Sequence, residues 1–495
     1  MTRPVIDLAA DLPAEFDGVA LPTYDRSQVT AGIVHFGVGG FHRAHQAMYL
    51  DRLLREGKAT DWGICGVGVL PHDSRMRDVL RAQNGLYTLV EKAPDGSQAV
   101  TVIGSIVDYL FAPDDPDAVI EKMASEQIKI VSLTITEGGY NIDATTGRFD
   151  DHNQAILDEV ASDDPPKTVY GLVVAALKRR RERGLPPFTV MSCDNIPGNG
   201  EVAKGTFTSY ARLTDPEFAD WMAENVFFPN SMVDRITPAT TPDDITALES
   251  NHGVKDGWPV VCEPFEQWVL QDHFLLGRPP YEDAGVQVVD DVEPYELMKL
   301  RLLNAGHQAI AYFGYLSGYR LVHESAQDPA IARFARAYMD REGTPTLKPV
   351  PGVDLDEYKD SLIERFGNSH VRDQVQRLCL EASDRIPKFV LPVVRDQLAN
   401  GGEVRLAAAI IASLARYCEA VDEEGEPIQI NDRIADTLKR YAARQIGPDA
   451  DELAFLTNRE LFGDLVDEPR FTEPYLEVLR SLHEVGAQAT VQKLT

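Results

Sequence analysis

Ile33-Val-His-Phe-Gly37-Val-Gly-Gly-Phe-His-Arg-Ala-His45 is the stretch that decides the fold of this chain. A short apolar run, Ile33 to Phe36, ends in glycines. A helical pattern, Phe41 to Arg55, follows at once and stops at Gly57, a residue suited to a helix C-cap. Strand, glycine turn and helix in that order suit a dinucleotide. Glycines let the backbone turn tightly and approach a pyrophosphate, and the helix N-terminus offers it free N–H groups. Gly37, Gly39, Gly40 and Phe41 are the candidate cofactor residues of this turn. The sixth position of the motif is His42 rather than a third glycine. By itself the turn is therefore also compatible with an ordinary tight connection.

Working outward, Trp62 to Val69 reads as a second strand. Several short β-rich runs lie between Tyr87 and Leu110. Ile128 to Thr136, rich in Ile, Val and Thr, reads as a strand, Val169 to Arg183 as a helix and Phe188 to Met191 as the next strand. Such alternation predicts a mostly parallel sheet with helices on its faces. From Glu293 onward helical patterns follow one another: 294–319, 329–341, 354–365, 371–381, 389–399, 404–420, 432–444 and 473–484. The expected fold class is α/β, a Rossmann-type N-terminal domain followed by a mostly α-helical C-terminal domain. The expected boundaries are 1–290 and 291–495, and a cleft between such domains is a usual place for a site.

The second strand ends near Val69, and Asp73 is the nearest carboxylate beyond it. An acid in that place binds the adenosine ribose and repels a 2′-phosphate, which favours NAD over NADP. Arg75 would do the opposite. Asp73 could equally N-cap a helix running through Arg75 to Arg81.

Of the 495 residues, 78 are acidic and 48 basic, a net charge of −30. A surface this acidic repels phosphate backbones and anionic lipid, so neither nucleic acid nor membrane is an expected partner. With 44% apolar residues and dispersed charge, the chain is not disordered. Its five cysteines are far apart with no C-x-x-C pair, which argues against disulfides and a cysteine-rich zinc site. No metal is expected. No apolar run approaches a membrane span, and the start, M-T-R-P-V-I-D, lacks the features of a signal peptide. A reducing cytoplasm is the expected location.

The segment Lys299-Leu-Arg-Leu-Leu-Asn304-Ala-Gly-His307 carries the chemistry. At about 100° per residue, Lys299 at 0°, His307 at about 80° and Asn304 at about 140° share one wide sector of a helix. Three polar groups on a sector that otherwise reads as core need partners, and a site provides them. Tyr295-x-x-x-Lys299 has the spacing of a short-chain dehydrogenase pair, but no serine lies between Ser250 and Ser317 to complete it. Without zinc, a dehydrogenase needs a protein base for the alcohol proton and donors for the developing alkoxide. Lys299 with flanking amides would supply both.

Five segments carry a family resemblance. They are G-V-G-G-F-H-R-A-H (37–45), T-I-T-E-G-G-Y (134–140), F-T-V-M-S-C-D-N (188–195), F-P-N-S-M-V-D-R-I-T-P (228–238) and K-x-x-x-x-N-x-x-H (299–307). In order and spacing the chain resembles the polyol-specific long-chain dehydrogenases. The resemblance implies zinc-independent hydride transfer from a sugar alcohol to NAD, giving a ketose, with D-mannitol to D-fructose foremost. It implies Lys299 as general base, Asn195 and Asn304 as amide donors to the alkoxide, His307 as a polyol-binding residue and Asp234 close to the lysine. It implies Arg377 in the substrate pocket, with Arg385 where relatives tend to have lysine. It adds Thr136 and Glu137 to the cofactor contacts, and it implies a monomer. Asn195 alone could be a turn residue, and Asp234 and Arg235 alone a structural ion pair.

A lysine ordinarily titrates near 10.4, so a lysine base works best in alkali unless burial or nearby cations lower it. Fructuronate reductase and D-arabinitol dehydrogenase are sister activities on the same scaffold, and a catalytically inert NAD sensor is a third reading. A uronate would want an extra cation for its carboxylate and would be repelled at long range by the net charge.

Overall fold

The computed structural model describes residues 4–143 and 147–494, in two compact units, 1–292 and 293–495. Met1-Thr2-Arg3, part of the stretch expected to lack signal-peptide features, lies outside the described residues.

The first unit is built on five parallel strands: β1 (Ala31–Phe36), β2 (Gly63–Gly68), β3 (Ile106–Phe111), β4 (Ile130–Leu133) and β5 (Thr189–Ser192). Their spatial order is β3-β2-β1-β4-β5. The order reverses at β1, and in such sheets the crevice at the carboxyl end of that strand is the ligand site. The glycine turn sits there.

All six residues of β1 are buried, which is why the strand reads as a continuous run rather than an alternation. Its side chains still alternate between faces. Val34 and Phe36 pack with Val131, Leu133 and Val190 under helices 116–124 and 169–182. Ile33 packs with Ile64, Ile130 and Met191 on the opposite side. Helix 169–182 begins where the Thr168 hydroxyl accepts the Gly171 N–H at 3.1 Å. A hairpin, Tyr87–Lys92 with Gln98–Ile103, interrupts the alternation between β2 and β3. A separate small sheet holds β6 (Ser231–Asp234), β7 (Gln267–Gln271) and β8 (Gln287–Val289).

The helix expected over 41–55 is two helices, α1 (Gly40–Ala44) and α2 (Gln46–Arg55). They break at His45, whose backbone leaves the helical region at φ −128°, ψ −98°.

Among the described residues the second unit has helices and no strand. The helix expected over 294–319 is α3 (Glu293–Met298), a π-helical turn Lys299–Asn304, and α4 (Ala305–Leu316). The Ala305 N–H reaches back five residues to the Leu300 carbonyl, the signature of the wide turn. The run expected over 371–381 is helical only at Val375–Cys379, and Glu381 at φ +48° separates it from a helix Ala382–Phe389 not anticipated from the sequence. Every residue of α4 except Tyr315 is buried. It packs on α5 (Arg405–Tyr417) and on the long terminal helix α6 (Pro469–Leu494), which is kinked at Gly486.

A second π-helical turn, Met339–Gly343, packs on the first. Its Glu342 is fully buried, and its carboxylate accepts the N–H groups of Leu406 at 2.6 Å and Ala407 at 2.7 Å at the start of α5. Glu342→Ala should leave both donors unpaired and lower stability by about 2–4 kcal/mol in urea or thermal unfolding. Burial raises this carboxyl from 4.5 to about 7. The folded state therefore binds the extra proton between those values, and the contribution of Glu342 to stability falls as pH rises through that window. The Tm difference between wild type and Glu342→Gln, followed from pH 4.5 to 7, measures it.

Candidate active site

Gly37 ends β1 at φ +88°, and a Cβ there would lie 2.0 Å from the Thr134 carbonyl oxygen. Only glycine fits. At Gly39 a Cβ would meet nothing nearer than 3.9 Å, so that face of the turn is open. No side chain caps α1. These are the features a bound pyrophosphate needs: backbone without side chains in front of uncapped N–H groups.

Beneath the turn lies a buried polar layer. His35 meets Ser132 Oγ at 2.8 Å and Thr134 Oγ1 at 2.9 Å, and the Thr134 hydroxyl donates to the Gly37 carbonyl at 2.6 Å. His42 stacks on His35 with ring centroids 3.4 Å apart. Burial pushes His35 and His45 down to about 3 and His42 well below the usual range, so all three are neutral at physiological pH. His42 thus fills the place of the third glycine as a packed, neutral ring. Phe41 stacks on His45 at 4.8 Å.

The four segments of the first unit that carried the family resemblance are bound to one another. Asn199 donates to the carbonyls of Asp194 at 3.0 Å and Ser231 at 2.7 Å. Ser231 Oγ donates to the Ser192 carbonyl at 2.7 Å. These bonds set β6, with Asp234 at its end, beside the segment that carries Asn195. Asp234 is buried and Asn195 is exposed. Arg235 donates to the Ala44 carbonyl at 2.7 Å and the Glu263 carbonyl at 3.0 Å, and it pairs with Glu91 and Glu266. These two glutamates are the carboxylate partners of Arg235, in place of the Asp234 pairing that the sequence left open. His45 Nε2 meets the Gln267 carbonyl at 3.1 Å, and Gln267 is the strand partner of Asp234.

Asp73 stands just past β2. Its Oδ2 accepts the N–H groups of Val69 and Leu70, each at 2.9 Å, and its side chain makes no cap to helix 74–82. The carboxylate closes the turn instead, and its Oδ1 lies 3.7 Å from Nε2 of the exposed His72. The Arg75 guanidinium lies over the Trp258 ring, 4.2 Å from its centroid. Thr136 and Glu137 are exposed on the turn after β4, next to the glycine turn.

In the second unit the π-helical turn changes the wheel on which Lys299, Asn304 and His307 were placed. Lys299 opens the turn and Asn304 closes it, both inside the wide coil, while His307 lies one turn on in α4. Lys299 and His307 are buried. Asn304 Oδ1 and His307 Nε2 are buried with no hydrogen-bond partner among the described residues. The His307 ring packs against Phe366 at 4.3 Å. Burial first, then the cations Arg377, Arg365, Arg385 and Lys299, hold its imidazole well below the usual range. Arg377 is aimed by Asp373, which accepts its Nε–H at 2.6 Å and also pairs with Nη2. Arg385 donates from Nη1 to the carbonyls of Arg377 at 2.9 Å and Leu378 at 3.0 Å. It thereby holds the short helix that presents Arg377.

Asn195 and Asp234 belong to the first unit; Lys299, Asn304, His307, Arg377 and Arg385 belong to the second. Two further residues escaped the sequence reading. Arg365 acts on His307 from the end of helix 355–366, which the sequence marks only as a helical pattern. Asp194 lies in the quoted 188–195 segment, but an aspartate next to a turn looks like turn chemistry. No group of His, Cys, Asp and Glu able to hold a metal occurs among the described residues. None of the described helices is long and apolar enough to cross a membrane.

A glycine turn at the reversal of a 3-2-1-4-5 parallel sheet, followed by a helical unit, is the architecture of a dinucleotide-dependent dehydrogenase. Comparison with known proteins narrows the class. The family model "Mannitol dehydrogenase Rossmann domain" matches residues 31–283 and "Mannitol dehydrogenase C-terminal domain" matches 291–483. A mannitol 2-dehydrogenase of Phaeosphaeria nodorum is 45% identical over 97% of this chain and 84% of its own length. The structure of Pseudomonas fluorescens mannitol 2-dehydrogenase, a ternary complex with NAD and D-mannitol, is 45% identical, covers 97% of each chain and superimposes with a TM-score of 0.88. A D-sorbitol dehydrogenase in substrate-free form is 39% identical over 96% of this chain and 98% of that one, with a TM-score of 0.87. The chain belongs to the mannitol dehydrogenase family, the polyol dehydrogenases its motifs resemble.

The close approach at Gly37 yields a test. Gly37→Ala should force the glycine turn off the Thr134 carbonyl and weaken dinucleotide binding at least about tenfold, given backbone strain and a direct clash. Gly205→Ala, where a Cβ meets nothing within 4 Å, is the control expected to bind normally. Calorimetric titration with NAD compares the two.

Proposed function

We propose that this chain oxidises a secondary hydroxyl of a sugar alcohol to a ketone, with Lys299 as the general base and D-mannitol to D-fructose as the leading reaction. As a member of its family it is an NAD-dependent polyol dehydrogenase. The observation that carries the proposed polyol site is the buried pair Asn304 Oδ1 and His307 Nε2, without hydrogen-bond partners among the described residues, on the segment that begins at Lys299. Buried polar atoms without partners are costly in a folded protein, and a polyol brings the hydroxyls they lack.

NAD, when bound, supplies the hydride acceptor. In the proposed arrangement Gly37, Gly39, Gly40 and Phe41 take its pyrophosphate. Asp73 Oδ1 accepts from the adenosine ribose, and Thr136 and Glu137 contact the same cofactor. The carboxylate of Asp73 opposes a 2′-phosphate, and the stacking of Arg75 on Trp258 favours the same choice of NAD.

Lys299 in its neutral form takes the hydroxyl proton, and the side-chain amides of Asn195 and Asn304 donate to the alkoxide oxygen as charge develops there. His307 and Arg377 hold the rest of the polyol chain, with Arg385 fixing the carbonyls beside Arg377, and Asp234 sets the charge near the base. The base is the neutral lysine, and a lysine ammonium ordinarily loses its proton only near 10.4. Oxidation should therefore rise toward alkaline pH, and ketone reduction, which needs the protonated lysine, should favour lower pH.

Lys299→Ala is expected to lower turnover about a thousandfold or more, the scale of a lost general base, with NAD affinity retained. Near-normal turnover would remove Lys299 from the role. The D-sorbitol dehydrogenase relative and the cations around His307 widen the substrate test. Initial rates with D-mannitol, D-sorbitol, D-arabinitol and fructuronate, measured at the nicotinamide absorbance with NAD and with NADP, should rank D-mannitol with NAD first. We also take the protein to work as a cytosolic monomer, for which sedimentation at working concentration is the check on assembly.

A further inference from the structure

The turn after β4 is strained. Thr136 sits at φ +63°, ψ +168°, a region that only glycine enters freely and that a β-branched residue avoids. Strain of this kind persists when surrounding contacts over-determine it, and it clusters at sites where geometry matters. Here one buried carboxylate supplies the contacts. Asp194 Oδ1 accepts the Thr136 N–H at 2.8 Å, and Oδ2 accepts the Ile135 N–H at 3.1 Å and the Tyr140 hydroxyl at 2.7 Å. Tyr140 is itself fully buried and meets Ser192 Oγ at 2.6 Å. The opposite end of the same turn is tied to the glycine turn by the Thr134 hydroxyl on the Gly37 carbonyl. On its main-chain side Asp194 is held by Asn199, and Asn195 follows it directly.

We propose that Asp194 is a positioning residue for the reaction, its carboxylate fixing the strained Thr136 turn, which Thr134 ties to the glycine turn, and so presetting the surface on which the cofactor binds. The inference rests on the reading of Thr136 and Glu137 as cofactor contacts. It does not rest on Lys299 or on the choice of polyol.

Three donors converge on two oxygens, and the ionised carboxylate accepts from all of them without a proton of its own in the way. Burial raises Asp194 from 3.8 to about 6, the bonds from Tyr140, Ile135 and Thr136 hold that rise back, and Glu137 adds to it. The titratable groups facing it are Tyr140 and Glu137 of the clamped segment and Cys193 of its own, with Tyr140 and Cys193 both held neutral by burial. Acidification through about 6 therefore puts a proton on one of the accepting oxygens, weakens the bonds it receives and loosens the turn. Asp194 thus predicts an acid limb in cofactor binding, separate from the alkaline limb assigned to the lysine.

The test is calorimetric titration of the whole protein with NAD from pH 5 to 8. Wild type should bind several-fold more weakly at pH 5 than at pH 7.5. Asp194→Asn should bind about tenfold more weakly than wild type at pH 7.5 and show no acid limb, because the amide accepts at one atom only and does not titrate. Thr136→Gly removes the steric demand, so it should flatten the limb in an otherwise wild-type chain and restore part of the affinity lost in Asp194→Asn. Wild-type binding that is level from pH 5 to 8, an unchanged acid limb in Thr136→Gly, or a folded Asp194→Asn with normal affinity would each overturn the proposal. Thr136→Gly and wild type decide it even where Asp194→Asn does not fold. Loss of activity in Lys299→Ala with an intact acid limb separates this inference from the mechanism.

Discussion

The approach of the β1–α1 backbone to the end of β4 is the constraint on which the first unit turns. The Thr134 carbonyl oxygen occupies the space that any side chain at residue 37 would need. The chain can leave β1 only through a residue with no Cβ and a positive φ. Once it does, Gly39 and Gly40 lie in front of a helix start that no side chain caps. The ligand site is thus created by a steric exclusion between two neighbouring parallel strands, and the open face is its consequence.

That geometry buries a dense polar layer, and desolvation sets its charge. His35, His42 and His45 lie under the turn as neutral rings because burial opposes their protonated forms. Arg235 remains charged in the same region because it has carboxylate partners in Glu91 and Glu266 and carbonyl acceptors at Ala44 and Glu263. The second unit follows the same logic. His307 is kept neutral by burial and by the cations that act on it, and π-helical turns place Lys299 and Glu342 in the interior. Wide turns of this kind are common at functional positions, since they reorient a side chain without ending the helix.

Much of this was legible in the residues. The glycine turn, the strand–helix alternation and the helical second half followed from periodicity and punctuation, because apolar spacing reports directly on which face is buried. The five motif segments pointed to the family, and the family is the one to which the chain belongs. The split of helix 41–55 at His45 and the π-helical turn at Lys299 were not legible. Both are single-residue adjustments of backbone phase, and a continuous helical pattern carries no mark of them. Asp194 was overlooked for a related reason: an aspartate near a turn has the same local appearance whether it caps its own segment or reaches across to another.

By itself the sequence determined the class of fold, the place of the glycine turn and the set of residue types available for chemistry. These depend on local spacing and on side-chain character, which the chain carries with it. The tertiary structure decided which of those residues are desolvated, which have partners, and which backbone positions are strained. Asp73 became a turn-closing carboxylate rather than a helix cap, Arg75 came to rest on Trp258, and Arg235 paired with Glu91 and Glu266. Burial and hydrogen bonding arise between segments far apart in the chain, and pattern within a segment does not encode them.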